Sequence, residues 1–273
     1  TSSVGSSTYS WTGSNGSGGT GNITDTPVNS GTSPINITYT VVPTGPTPTF
    51  CVGGPFTIVV TVDPIPAVTN GTLTQSICGS GTASFTPVIS VGGSTYTWSS
   101  TVLSGSVSGV TASGTNVPVS DNLTNSGSVA AVVRYRVTPT GPVSTLCVGS
   151  FVDYVVTVNP VPTVSASAQS ICSGATSNVV ISNPNGVVGT TFSWTLGTVV
   201  GAVSGQGAGS GTVISQTLSS VAGGSVEYLV VASSNGCSSA VFPVVVTVNP
   251  VPVGNSVGAG TNVVCSGTAL NIV

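Results

Sequence analysis

Very few side chains in this sequence could do chemistry. The 273 residues include two arginines and five acids, with no His and no Lys. Without His there is no Ser-His-Asp or Cys-His arrangement, and without Lys there is no Ser-Lys dyad. The five acids are too scattered to form a carboxylate pair or to converge on Ca²⁺. The sequence therefore predicts no catalytic residue, no metal site and no cofactor, and the protein is not expected to be an enzyme.

Cysteine is the remaining residue type whose side chain could form a disulfide or bind a metal. Successive cysteines stand 27, 69, 25, 65 and 28 residues apart. Zinc sites need clustered Cys or His ligands, which this spacing does not supply. Disulfides are the better interpretation, and they indicate an oxidising, extracellular or cell-surface location. The six positions are Cys51, Cys78, Cys147, Cys172, Cys237 and Cys265.

The low charge of the chain limits its partners. Charged residues make up 3% of the sequence, against about a quarter in ordinary domains. A surface of Ser, Thr, Asn and Gly has little electrostatic repulsion, which favours association. There is no basic patch for nucleic acid, and no run of 18 apolar residues that would predict a membrane span.

The elements that must position the cysteines repeat about every ninety residues. The segments FTIVVTVDPIP, DYVVTVNPVP and FPVVVTVNPVP end at Pro66, Pro162 and Pro252. One tryptophan and one tyrosine recur at corresponding places, and we predict that these six side chains lie in hydrophobic cores: Trp11, Trp98, Trp194, Tyr39, Tyr135 and Tyr228.

Each period consists of short alternating segments separated by Gly, Ser, Asn and Pro. This pattern is typical of an antiparallel β-sandwich of about seven strands. In the strand around Tyr135, alternation directs Val133 and Val137 inward and Arg134 and Arg136 outward. We therefore predict an all-β protein of tandem sandwich domains.

The repeat boundaries predict two whole domains, residues 67–162 and 163–252. Residues 1–66 lack the first two strands of a repeat, and residues 253–273 match those two strands. We expect 253–273 to complete residues 1–66 of the next copy. Either the sequence is an excerpt from a long tandem array, or separate subunits donate these strands to one another. Both alternatives give head-to-tail contacts.

Several motifs resemble a known group of repeats. They are QSIC or NVVC followed by a Gly turn, the recurring Trp and Tyr strands, the NGC around Cys237 and the VTVNPVP exit. Together they are similar to the PKD-like and Ig-like tandem repeats of large Bacteroidetes cell-surface proteins, including gliding adhesins exported by the type IX system. The resemblance implies sandwich domains in an extended rod that serves adhesion, spacing or scaffolding.

Two disulfide pairings remain open at this point. The first is within domains, with Cys51 and Cys265 joined across the copies. If the strands follow immunoglobulin order, however, the two cysteines of one domain lie at opposite ends of strands about 30 Å long, too far apart for a disulfide. The second pairing then links successive domains: Cys78 with Cys237, Cys265 with Cys147 of the next copy, and Cys172 with Cys51 of the next copy.

These features favour a structural component of an extracellular filament or stalk. Its partners would be copies of itself or adjoining repeats of the same long chain. The alternative is an adhesin that binds a glycan or another surface ligand through the Gly- and Ser-rich segments 99–118 and 196–211. Those segments contain no Trp, Tyr or charged residue, which favours the structural hypothesis.

Overall fold

The computed structural model describes residues 2–143 and 146–254. Cys265 and most of the predicted segment 253–273 therefore lie outside the described residues. The described chain contains strands and no helix, and it forms two compact units. One unit comprises the residues up to Val161 together with Asn235–Cys237, and the other comprises Pro162–Ser234 with the residues from Ser238 onward.

The first repeat forms a single sheet in its described residues. Four strands lie in the order β2-β1-β3-β4, and all neighbours are antiparallel. Trp11, Ile37, Tyr39 and Val41 form its small hydrophobic cluster. The strands are β1 (Thr8–Gly13), β2 (Gly18–Thr20), β3 (Ile35–Thr44) and β4 (Phe56–Val62).

The second repeat is a two-sheet sandwich. Its larger sheet has the order β5-β12-β11-β7-β9, with β5 parallel to β12, and its smaller sheet has the order β6-β10-β8. The strands are β5 (Thr74–Cys78), β6 (Ser80–Phe85), β7 (Thr95–Ser104), β8 (Val107–Ser108), β9 (Ser113–Thr115), β10 (Val119–Asn125), β11 (Ala131–Thr140) and β12 (Val152–Asn159).

The third repeat has the same plan. One sheet contains β14-β21-β19-β16-β17, with β14 parallel to β21, and the other contains β13-β15-β18. The strands are β13 (Ser165–Ala166), β14 (Gln169–Cys172), β15 (Val179–Ser182), β16 (Thr191–Val200), β17 (Gly209–Ser210), β18 (Val213–Ile214), β19 (Gly224–Ser234), β20 (Cys237–Ser238) and β21 (Phe242–Asn249).

Side-chain alternation accounts for these sheets. Along β11 every second residue is buried, including Val133, Tyr135 and Val137, while Arg134 and Arg136 point to the other face. β-branched residues suit such a pleated, half-buried surface, and successive side chains point to opposite faces. The predicted all-β class of tandem sandwiches is confirmed.

The two segments predicted as candidate binding loops are partly strand. β7 extends through Ser104, and β8 and β9 lie within residues 99–118. In the same way β16 extends to Val200, and β17 lies within residues 196–211. Gly and Ser suggested loops there, but cross-strand pairing to long neighbouring strands holds these residues in the sheet.

Candidate functional site

Each tryptophan packs on a glycine of a short edge strand. Trp11 lies opposite Gly19, Trp98 opposite Gly114, and Trp194 opposite Gly209. A Cβ at Gly114 would come within 2.6 Å of the Trp98 ring, and a Cβ at Gly209 would come equally close to Trp194. All three tryptophans are buried. The glycines are therefore part of the packing and are not simple linkers.

Each core tyrosine donates its hydroxyl proton to a polar side chain of its own repeat. Tyr39 donates to Asp25 at 2.5 Å, and Tyr135 donates to Asp121 at 2.6 Å. In the third repeat the acceptor is Gln216, at 2.6 Å from the Tyr228 oxygen. A buried hydroxyl without such a partner would be costly. Asp25 and Asp121 therefore have a structural role as acceptors of these hydrogen bonds.

These hydrogen bonds change the ionisation of the groups involved. Tyr39, Asn15 and Ser17 hydrogen-bond the Asp25 carboxylate and lower its pKa to about 2. The bond to Asp25 raises the pKa of Tyr39, and burial raises the pKa of Tyr228 to about 12. The tyrosines therefore stay protonated and keep donating at physiological pH.

Arg136 makes its contacts within its own sheet. Arg136 makes two hydrogen bonds to Asp153 across β11 and β12, at 2.8 and 2.9 Å. Its guanidinium carbon lies 3.8 Å from the centre of the Phe151 ring. The ion pair lowers the pKa of Asp153 through its hydrogen bond to Arg136. The pair is partly exposed, so solvent screens the two charges and the pair contributes little to stability.

Among the described residues no group of three His, Cys, Asp or Glu side chains could hold a metal ion. That same part of the chain has no helix long and apolar enough to cross a bilayer.

A disulfide joins Cys78 of the second repeat to Cys237 of the third, with the Cα atoms 5.5 Å apart and 159 residues of sequence separation. The within-domain pairing of Cys78 with Cys147 and of Cys172 with Cys237 is therefore excluded. Cys78 is paired in the strand register with Asn159 at the end of β12, whereas Cys147 precedes the start of that strand. The strand places them roughly 25 Å apart, beyond the reach of a disulfide.

The turn before Cys237 positions that cysteine for its disulfide with Cys78. Asn235 and Gly236 both have positive φ, at 48° and 78°, as a two-residue hairpin turn requires. The Asn159 side-chain amide contacts the Asn235 carbonyl oxygen at 3.4 Å and the Ser76 hydroxyl at 3.1 Å. Thus the end of the β5–β12 pair holds both the disulfide and the backbone of the incoming turn.

The end of the β14–β21 pair has the same construction. Cys172 is paired in the strand register with Asn249, as Cys78 is with Asn159. The Asn249 amide donates to the Ser170 hydroxyl at 2.8 Å, and the Ser173 N–H donates to the Asn249 carbonyl. Cys172 is exposed and forms no disulfide within the described residues. We call these residues, Ser170, Cys172 and Asn249, the β14–β21 end.

The inward side of β4 lies open. By repeat position Ile58, Val60 and Val62 correspond to Tyr154, Val156 and Val158 of β12. Ile58 is 41% exposed and Val60 39%, whereas Tyr154 is 3% exposed and Val156 fully buried. We call Ile58, Val60 and Val62 the open face. Fully burying one such side chain stabilises by about 1.5 to 3 kcal/mol, so this face is a source of binding energy.

The outer edge of β4 is open as well. In the described residues β4 pairs only with β3, whereas β12 and β21 each have a parallel strand on the corresponding edge. An unpaired edge presents a row of backbone donors and acceptors to any extended segment. Edge and open face together can therefore accept a strand.

A surface cavity of about 600 Å³ lies beside Cys51. Tyr9, Pro43, Gly53 and Phe56 line it, and Cys51 is exposed. Its lining residues carry no formal charge, which suits an apolar contact better than an ionic ligand.

These sandwiches and their sequence motifs match a family model. The PKD-like domain matches residues 1–66, 75–162 and 169–252. The chain belongs to the PKD-like domain family. The three matches together span most of its length, so the family accounts for every described repeat.

Known structures with similar folds come from several sources. The three N-terminal domains of the bacteriophage RB49 outer capsid protein Hoc are 14% identical, with a TM-score of 0.39, over 90% of this chain and 89% of that one. Titin domains I67–I69 are 8% identical, with a TM-score of 0.38, over 91% and 89%. Drosophila N-cadherin EC1–4 is 13% identical, with a TM-score of 0.31, over 91% and 68%. No curated protein sequence matches the chain.

Sequence reasoning identified the cysteines and the aromatic residues but missed their partners. The glycines opposite the tryptophans, the acceptors of the tyrosine hydroxyls and the amide of Asn159 were not anticipated. A signal was available for the acceptors, because Asp25 and Asp121 each stand 14 residues before their tyrosine and Gln216 stands 12 residues before Tyr228.

Proposed function

We propose that the chain is a structural segment of an extracellular or cell-surface filament or stalk. In this role PKD-like domains stack lengthwise as a rod, and copies or adjoining repeats contact one another head to tail. The observation that carries the proposal is the Cys78–Cys237 disulfide, which links one repeat covalently to the next. Such a link suits a molecule that must remain intact under tension.

The path of an applied force supports this role. A force applied to the two termini is transmitted along residues 1–78, through the disulfide to Cys237 and then along the residues that follow Cys237. The residues between the two cysteines are bypassed, so most of the second and third repeats cannot be drawn out. Internal use of Asp121, Arg136 and Asp153 further leaves few charges for recognising a ligand.

Single-molecule stretching of the full chain, held at both ends, tests the proposal. In an oxidising buffer the maximum extension should fall short of the full contour length by roughly 520 to 570 Å, the extended length of the sequence separation of 159 that the disulfide bypasses. Reductant or Cys78→Ser should restore that length, and Cys172→Ser should not. Full extension of the oxidised wild-type chain would rule out a tension-bearing role. Electron microscopy should show rods, and isolated globules would contradict lengthwise stacking.

A further inference from the structure

We propose that the β14–β21 end, formed by Ser170, Cys172 and Asn249, is a docking site for a hairpin turn with a cysteine directly after Asn-Gly. A disulfide to Cys172 secures the docked turn. The partner is another PKD-like domain that carries such a turn. This inference rests on the proposed structural role and specifies one contact that joins the chain to its partner. The second repeat provides the template, because the same residue types there hold such a turn.

The template is the contact between the end of the β5–β12 pair and the turn before Cys237. Cys78 forms the disulfide with Cys237, and the Cys78 sulfur lies 3.8 Å from the carbonyl oxygen of Gly236. The Asn159 side-chain amide contacts the carbonyl oxygen of Asn235 at 3.4 Å. Cys237 is buried in this contact, while Cys78 is exposed. The contact therefore combines one covalent bond with recognition of the turn's backbone.

The β14–β21 end has every part of this template that belongs to the receiving strand pair. Cys172 is paired in the strand register with Asn249, as Cys78 is with Asn159. Each asparagine amide donates to a serine hydroxyl two residues before the cysteine, at 2.8 Å and 3.1 Å respectively. The N–H that follows each cysteine donates to the carbonyl of the paired asparagine, at 2.8 Å and 2.7 Å. The receiving geometry is thus the same at both ends.

Two groups of the β14–β21 end are available to a partner. An asparagine amide has two N–H donors. At Asn159 one of them contacts the Asn235 carbonyl, whereas the described residues supply no second acceptor for Asn249. Cys172 is exposed and forms no disulfide within the described residues. An oriented amide donor beside a thiol matches a turn's carbonyl and its cysteine, which are the two groups that the template binds.

The template also defines the conformation of the turn. Asn235 and Gly236 have φ values of 48° and 78°. Asn and Gly adopt positive φ at low cost, so Asn-Gly before the cysteine favours the required shape. In the first repeat a bulky residue, Phe50, with a φ of 41°, directly precedes Cys51. We therefore expect the Asn-Gly-Cys type of turn to bind in preference to the first-repeat type.

The disulfide forms by two thiol–disulfide exchanges, for which a small disulfide such as oxidised glutathione is sufficient. The Cys172 thiolate attacks oxidised glutathione, forms a mixed disulfide with one half and releases the other half as a thiolate. The thiolate of the incoming turn then attacks the Cys172 sulfur, the S–S bond to glutathione breaks, and glutathione leaves as a thiolate. Each leaving thiolate takes up the proton that the attacking thiol lost. Two cysteine thiols are thus oxidised to one disulfide, and one glutathione disulfide is reduced to two thiols.

The test measures how strongly Cys172 prefers the turn over glutathione. The full chain with Cys51→Ser, Cys147→Ser and Cys265→Ser keeps Cys172 as its one cysteine outside the Cys78–Cys237 disulfide. The probe is a head-to-tail cyclised peptide of residues 231–240, VASSNGCSSA, in a glutathione redox buffer. Mass spectrometry measures the ratio of peptide adduct to glutathione adduct on Cys172. The peptide should be preferred by about tenfold or more, because cyclisation preorganises the turn and its backbone contacts add to the disulfide.

Three controls separate recognition of the turn from ordinary thiol chemistry. A sister chain with Cys172→Ser in place of Cys51→Ser keeps the exposed Cys51 and should show no preference. Asn249→Asp keeps the side-chain shape but has no N–H to donate, and should lower the preference by about fivefold, the effect of one hydrogen bond. The peptide with Gly236→Val disfavours positive φ and should lose the preference on the unchanged protein.

Equal preference at the two thiols would overturn the proposal, as would a preference that survives Asn249→Asp or the altered peptide. Tighter binding of a cyclised peptide with the Phe50–Cys51 turn would overturn the assignment to Asn-Gly turns. Peptide mapping that finds Cys172 of the wild-type chain bonded to another cysteine of the same molecule would also overturn it. The adducts report on Cys172 and the stretching experiment reports on the Cys78–Cys237 disulfide, so failure of this proposal is distinguishable from failure of the proposed function.

Discussion

At the scale of single residues, the repeat depends on small contacts that recur three times. A glycine faces each tryptophan because the indole ring occupies the volume that a side chain would fill. A polar side chain accepts each tyrosine hydroxyl because the ring is buried and its oxygen must be paired.

The glycine contact predicts a steric effect in the second repeat. Gly114→Ala should destabilise the protein by about 2 kcal/mol, because the new methyl group displaces the Trp98 ring from a packed site. Gly92→Ala is the matched control, since a Cβ there meets nothing within 4 Å. Urea unfolding monitored by tryptophan emission measures both. Equal midpoints for the two variants would contradict the packing role of Gly114.

The Asp25 hydrogen bonds predict a pH dependence in the first repeat. Because the folded pKa of about 2 lies below the ordinary value of 3.8, the stabilisation is complete above about pH 4 and is lost as the pH falls through 2. Protection of β1 and β3 against hydrogen exchange should therefore fall between pH 4 and pH 2.

Asp25→Asn should remove most of that pH dependence, since the amide does not titrate. Asp153→Asn, which acts on the second repeat, is the control and should leave the exchange of β1 and β3 as in the wild type. If Asp25→Asn retains the full pH dependence, another group is responsible.

At the scale of elements, the hairpin between β19 and β20 determines where Cys237 lies. Gly236 has a φ of 78°, a conformation that costs an L-residue roughly 1 to 2 kcal/mol. The turn and the disulfide therefore stabilise each other.

We accordingly expect Gly236→Ala to lower the equilibrium constant for the Cys78–Cys237 disulfide by about fivefold or more in a glutathione buffer, the factor that roughly 1 kcal/mol represents. Thiol alkylation followed by mass spectrometry measures the oxidised fraction. Gly54→Ala, where a Cβ meets nothing within 4 Å and φ is not positive, should have no effect. An unchanged constant in Gly236→Ala would show that the turn does not limit the pairing.

The strand β4 shows how far an element depends on its neighbours. Its sequence is nearly that of β12 and β21, and it forms the same antiparallel ladder on one side. Its inward residues are nonetheless exposed, because burial requires a covering strand and a second sheet that β4 does not have in the described residues.

At the scale of the whole molecule, one covalent bond spans much of the sequence. Trypsin has only Arg134 and Arg136 as cleavage sites, and Cys78 and Cys237 lie on opposite sides of them. In the double variant Cys51→Ser/Cys147→Ser, alkylated and denatured before digestion, the fragments 1–134 and 137–273 should stay joined until reductant is added.

Adding Cys237→Ser to this double variant should separate the fragments without reductant. Separation in the double variant itself would show that Cys78 forms no disulfide with Cys237. Electrophoresis with and without reductant suffices to distinguish these results.

The sequence by itself determined the all-β class, the three repeats and the inward face of each main strand. These properties follow from local alternation: in β11, for example, Tyr135 and its β-branched neighbours Val133 and Val137 can all be buried only on one side. Only the tertiary structure decided that Cys78 joins Cys237 and that Ile58 and Val60 are exposed while Tyr154 and Val156 are buried. The disulfide pairing and the burial both depend on which distant segments come into contact. Strands of nearly the same sequence, such as β4 and β12, therefore cannot be distinguished by their local sequence.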